Sequence, residues 1–165
     1  MRELTKCEMI IYFEEINRRL SEMGKHGDIL IAGGAALTMV FNARDSTRDI
    51  DAIFHPTEDM RKISRDIARE YDLPEDWLND GVKGFITEKM KQEVYLELSN
   101  LTVSNIDAAG LLAMKLTSAR VDTKDMADSI FLMKALEICE ENELFDIIKK
   151  YIYPNQPFNS LKILY

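Results

Sequence analysis

The segment that most constrains this chain is Arg48-Asp49-Ile50-Asp51-Ala52-Ile53-Phe54, where two aspartates interrupt a run of strand-forming residues. Successive side chains of a strand point to opposite faces, so Asp49 and Asp51 share one face and Ile50 and Ala52 the other. Aspartate is a poor strand residue, and two of them in one short strand are unfavourable. Two explanations stand. The face is open to water and the acids keep it soluble, or the two carboxylates, about 7 Å apart at their bases, converge on one or two divalent cations.

The surrounding pattern predicts what this strand pairs with. Residues 4–23 carry apolar side chains at helical spacing, and Gly24 and Gly27 end that helix. Residues 28–32 form a short apolar run suited to a buried strand, broken by Gly33-Gly34 ahead of a short helix over 35–41. After the acid strand (48–54), Pro56 and Thr57 open a helix to about residue 70. Residues 74–80 read as a turn or short helix holding the single tryptophan, Trp77. Residues 93–98 and 101–103 read as a hairpin turning at Ser99-Asn100. Ser104 with Asp107 three residues on resembles a capping box, opening a strongly apolar helix to about residue 116. A polar break at 121–124, a helix over 125–139 and a last helix over 143–153, stopped by Pro154 and Pro157, complete the chain. The expectation is an α/β (α+β) fold: a single domain over 1–165, with a small mixed sheet flanked by helices (1–104) and a helical part (105–165).

Gly33-Gly34 at a strand-to-helix turn permits close approach of a phosphate to the backbone, favoured by the amides and dipole of the following helix; taken alone, the pair is better accounted for by a plain tight turn. Strand, Gly-Gly, helix and a strand bearing Asp-x-Asp together resemble the signature of the nucleotidyltransferase superfamily. More narrowly, the string Arg44-x-x-Thr47-x-Asp49-x-Asp51 resembles the small bacterial nucleotidyltransferase-like proteins related to AbiEii-type toxins. Residues 111–128 look like the Leu-Ala-x-Lys-Leu helix, arginine and Asp-x-x-Asp turn of that group, and Trp77-Leu78-Asn79-Asp80-Gly81 resembles another of its segments.

The resemblance implies a nucleotidyltransferase using Mg²⁺ or Mn²⁺, with Gly33 and Gly34 at the nucleotide phosphates and Asp49 and Asp51 as metal ligands. Arg44 and Thr47 fall with the nucleotide-binding string. Lys115 is a candidate phosphate contact, against the alternative of a snorkelling surface lysine. Asp125 either orients Lys115 or the acceptor hydroxyl, or caps its helix; Asp122 and Asp128 read as cap and surface residues. Many members place a third carboxylate on a neighbouring strand, for which Glu97 and Glu93 are the candidates. The implied substrate is an NTP and the implied acceptor a tRNA end or a protein side chain. A toxin restrained by an antitoxin partner, and a non-catalytic binding module, are the companion readings.

Composition enters at the level of partners and compartment. A formal net charge of -8 argues against generic DNA binding. No run reaches the ~18 apolar residues of a membrane span, and the N-terminal pattern is not that of a secretory leader, so a cytoplasmic location is expected. Cys7 and Cys139, outside any CxxC pair, read as buried reduced thiols. His26 and His55 have no partner at ligand spacing, which leaves a structural zinc site unsupported. Arg61, Arg65 and Arg69 recur at helical spacing as a basic stripe, but interleaved acids make it a solvated face.

Overall fold

The computed structural model describes residues 2–117 and 123–152. Arg120, Asp122, Pro154 and Pro157 lie outside them. Among the described residues the elements are β1 (Leu4–Thr5), α1 (Lys6–Glu22), β2 (Gly27–Ile31), α2 (Gly33–Met39), β3 (Ser46–Thr47), β4 (Ile50–His55), α3 (Thr57–Tyr71), β5 (Leu78–Asn79), β6 (Gln92–Glu97), β7 (Leu101–Ile106), α4 (Ala108–Thr117), α5 (Thr123–Ala135) and α6 (Glu141–Tyr151). This is a mixed α+β architecture. The chain divides into two compact units: the residues up to Gly84 with Gln92–Ile106, and Phe85–Lys91 with the residues from Asp107 onward.

The first unit is built on a five-stranded mixed sheet of order β5-β4-β2-β7-β6. Its centre is β2, antiparallel to β4 and parallel to β7. That position explains why β2 is an apolar run: it is paired on both edges, and Ile29 and Ile31 are buried beneath it. In register with them, Ile50, Ala52 and Phe54 of β4 and Leu101 and Val103 of β7 extend one apolar face. The helices α1 and α3 pack on each other, α1 on β7 and α3 on β4. Met9, Phe13, Ile16 and Leu20 of α1 and Met60, Ile63 and Ile67 of α3 fill that layer. A capping box starts α1, with the Thr5 hydroxyl accepting from the Glu8 amide while the Glu8 carboxylate accepts from the Thr5 amide.

Several expectations need adjustment. The first helix begins at Lys6, because Leu4 and Thr5 pair as β1 with Thr47 and Ser46 of β3. Two-residue strands carry no periodicity, so the pattern hides them. α2 starts at Gly33, whose φ of 55° turns the chain directly out of β2. Ser104 does not cap a helix: it stays in the β7 ladder between Leu30 and Val94. Asp107 precedes α4 instead and accepts from the Gly110 amide at 2.9 Å. Cys7 and Cys139 are free, as expected, but exposed rather than buried. No described helix is long and apolar enough to cross a membrane.

The second unit is helical, with α5 and α6 both packed on α4. The wide apolar surface of α4, with Leu111, Leu112, Ala113 and Met114 buried, suits a helix covered on more than one side.

Candidate functional site

Most of the residues singled out in the first unit converge at one end of β4. Asp51 faces away from the buried side of the sheet and is half-buried, as alternation with Ile50 and Ala52 requires. Asp49 lies just before the strand. Gly33 packs straight onto Asp51: a Cβ there would stand 2.9 Å from Asp51 Oδ2. A Cβ on Gly34 would collide with Thr47 Oγ1 and approach Arg44 Nη1 to 3.2 Å. Glycine at both positions is therefore explained by the neighbours it admits, and at Gly33 also by its positive φ. The Ala32 amide donates to the Asp51 carbonyl at 2.9 Å, tying the end of β2 to the acid strand. Thr47, buried in β3, donates through its hydroxyl to the Asp49 carbonyl at 3.2 Å. The pairing of β1 with β3 carries Thr47 to this place.

One residue of the site belongs to a segment that the sequence singles out without giving it a role. Asn79, on β5, is in register with Asp51 and donates from Nδ2 to Asp49 Oδ2 at 3.3 Å. The Trp77-Gly81 segment stood out, but the two-residue parallel strand that delivers Asn79 has no signature of its own.

The register separates Glu97 from this cluster. Glu97 pairs with Thr102, which pairs with Asp28, which pairs with His55 at the far end of β4. Three strand spacings put it about 14 Å across the sheet and about 13 Å along it from Asp51. Glu93 pairs with Asn105, on the side of Ile31 and Ala52, and so belongs to the opposite face. On β7 the positions sharing the face of Asp51 are Thr102, Ser104 and Ile106, of which Thr102 lies at the far end. Neither glutamate is a third member, because a hairpin edge strand lies too far from β4.

Lys115 and Asp125 form a second cluster, within the helical unit. Lys115 Nζ is ion-paired to Asp125 and lies 2.9 Å from Asp128 Oδ2. Asp128 is a correction: expected at the surface, it is 3% exposed, because α5 turns it onto α4 toward the lysine. Lys115 is thus no snorkelling surface lysine, and Asp125 sits within the first turn of α5 rather than at its cap.

Chemically, the first cluster offers two carboxylates, a hydroxyl and a carboxamide, all hard oxygen donors or their supports. Such a set fits Mg²⁺ or Mn²⁺ better than a soft metal. Among the described residues no group of three or more His, Cys, Asp or Glu side chains is placed to hold a metal. That is compatible with Mg²⁺, which is commonly bound through one or two carboxylates and completed by water and substrate phosphate. Arg44 adds a planar guanidinium suited to phosphate oxygens. No family model matches the chain, and no curated protein or solved structure matches it.

Proposed function

We propose that this chain is a nucleotidyltransferase-like protein that binds an NTP with Mg²⁺ at the Asp49–Asp51 end of β4 and transfers its nucleotidyl group to an acceptor hydroxyl. The observation that carries this reading is the packing of Gly33 against Asp51 and of Gly34 against Thr47 and Arg44. Bare backbone, a guanidinium and two carboxylates meet there, which is what a metal-bound polyphosphate requires.

In this reading Asp49 and Asp51 would hold Mg²⁺, which supplies charge neutralisation at the α-phosphate. Gly33 and Gly34 admit the phosphates to the backbone, and Arg44 compensates their remaining charge. The acceptor oxygen forms a bond to the α-phosphorus as the bond to the bridging β-phosphate oxygen breaks, and pyrophosphate leaves. The acceptor belongs to an RNA end, such as that of a tRNA, or to a protein side chain; regulation by an antitoxin protein fits the same reading.

A second reading is favoured by Thr102, Ser104 and Ile106, which occupy the β7 positions on the face of Asp51 and include no carboxylate. With those residue types there, the site serves as a nucleotide-binding module without turnover. Calorimetry with each of the four NTPs, with and without Mg²⁺, tests what the two readings share. Mg²⁺-dependent binding lost in Asp51→Asn is the expected result, and no binding to any NTP would sink both. Transfer of label from an α-labelled NTP to RNA or protein then separates enzyme from module.

A further inference from the structure

The segment carrying Asn79 is held more firmly than its exposed surroundings require. Trp77 is fully buried, sets its ring edge-on to Tyr12, and donates from Nε1 to the Ser64 carbonyl at 3.0 Å. Its carbonyl accepts from the Ile50 amide at 2.7 Å, the first link between this segment and the acid strand. Asp80 pairs with Arg61 of α3 at 2.6 Å. Asn79, between these anchors, has little freedom to move relative to β4.

Its carboxamide is oriented as well as placed. Nδ2 faces Asp49 Oδ2 at 3.3 Å and the Asp76 carbonyl at 3.4 Å, while Oδ1 accepts from the Gly81 amide at 3.0 Å. Turned over, the group would set its oxygen against two acceptors and its N–H₂ against a donor, so all three contacts agree on one orientation. An asparagine serving only the turn needs Oδ1 and the Gly81 amide alone. The contact to Asp49 is additional, and it reaches a carboxylate from the neighbouring strand.

We infer that Asn79 is the positioning residue of the acid pair: its anchored carboxamide holds one oxygen of Asp49 and thereby sets how that carboxylate meets a divalent cation. The inference rests on the reading of Asp49 and Asp51 as a cation site. Residues that hydrogen-bond metal-binding side chains typically change metal affinity strongly when removed. Asn79 occupies that place without being a ligand, since its oxygen is committed to Gly81.

The test is Mn²⁺ binding to the full chain without nucleotide, followed by calorimetry, with thermal melting in chelator as the control for folding. Asn79→Ala should weaken Mn²⁺ about ten-fold, and the loss should disappear when Asn79→Ala is made in an Asp49→Asn background. Asn79→Ser keeps an acceptor for the Gly81 amide but is too short to reach Asp49, so it should weaken Mn²⁺ as alanine does. A folded Asn79→Ala with wild-type affinity overturns the inference, as does a loss undiminished in Asp49→Asn. Should the alanine variant not fold, unchanged affinity in Asn79→Ser overturns it. Failure of the wild type to bind Mn²⁺ at millimolar concentration would remove the cation site itself, and Asn79's role with it.

Discussion

The chain contains two aspartate pairs that solve the same electrostatic problem in different ways. Asp125 and Asp128 share Lys115, a cation of their own unit, in a cluster whose three side chains are each at least five-sixths buried. Asp49 and Asp51 are set among glycine backbone, a threonine hydroxyl and a carboxamide, with Arg44 beside Gly34. Charges brought out of water require compensation. In the helical pair the sequence supplies it as a lysine two residues before the end of α4. In the strand pair, Gly33 brings bare backbone against Asp51, and Gly34 brings it against Thr47 and Arg44. We read the first arrangement as a structural ion cluster and the second as the site proposed to admit a ligand.

The sharpest way to break this comparison is to remove the lysine. Lys115→Met should destabilise the protein by about 3 kcal/mol, because two nearly buried carboxylates lose their shared partner. Replacing all three members with apolar residues should recover most of the loss. Urea denaturation checks both, and a Lys115→Met variant within 1 kcal/mol of wild type would mean that the cluster is not structural. Asp51→Asn should behave in the opposite manner. It should leave the urea midpoint nearly unchanged yet weaken Mg²⁺-dependent NTP binding about a hundred-fold, or about 2.7 kcal/mol. Equal loss of stability in the two variants would erase the distinction.

Legibility followed the same divide. The helices α1 and α3 and the strand β4 were readable from a periodic apolar face, β2 from its apolar run, and Gly33, Gly34, Arg44, Thr47, Asp49 and Asp51 were readable as a string. What escaped depends on pairing rather than pattern. Thr47 reaches Gly34 because two residues pair as β1 and β3, and Asn79 reaches Asp49 because two residues pair as β5. Glu97 looked suitable by its alternation with apolar neighbours, but a register shift between Val94 and Leu96 breaks that alternation, and strand order puts Glu97 at the wrong edge and the wrong end. Asp128 looked exposed because the polar stretch around it gives no hint that a lysine on α4 awaits it.

Smaller effects sharpen the reading of the strand pair. Gly33→Ala forces a side chain into the left-handed region and against Asp51, which should cost about 1–2 kcal/mol in stability. NTP binding should fall further than that stability loss accounts for, because the new methyl group displaces the carboxylate. Chemical denaturation and calorimetry on the same preparation separate the two. Binding preserved in a destabilised Gly33→Ala variant would show that the glycine serves the turn alone.

The smallest effect belongs to a charge cluster on α1 whose outer members, Arg18 and Glu70, are more than half exposed. Glu15 meets Arg18 and Arg19, and Arg19 reaches Glu70 of α3. The hydrogen bond from Arg18 is the main reason that the Glu15 carboxyl is lowered from 4.5 to about 2; burial opposes it and Arg19 adds to it. A depressed carboxyl stabilises the fold at pH above its unfolded value, and that contribution is lost as pH falls through the folded one. Glu15→Gln should therefore cost about 1 kcal/mol or less at pH 7. The difference from wild type should shrink between pH 4.5 and about 2 and then vanish. Urea midpoints across that range check it. A difference constant across the window would mean that Glu15 contributes through its alkyl packing on α1 and not through its charge, leaving Lys115 as the ion cluster that matters to the fold.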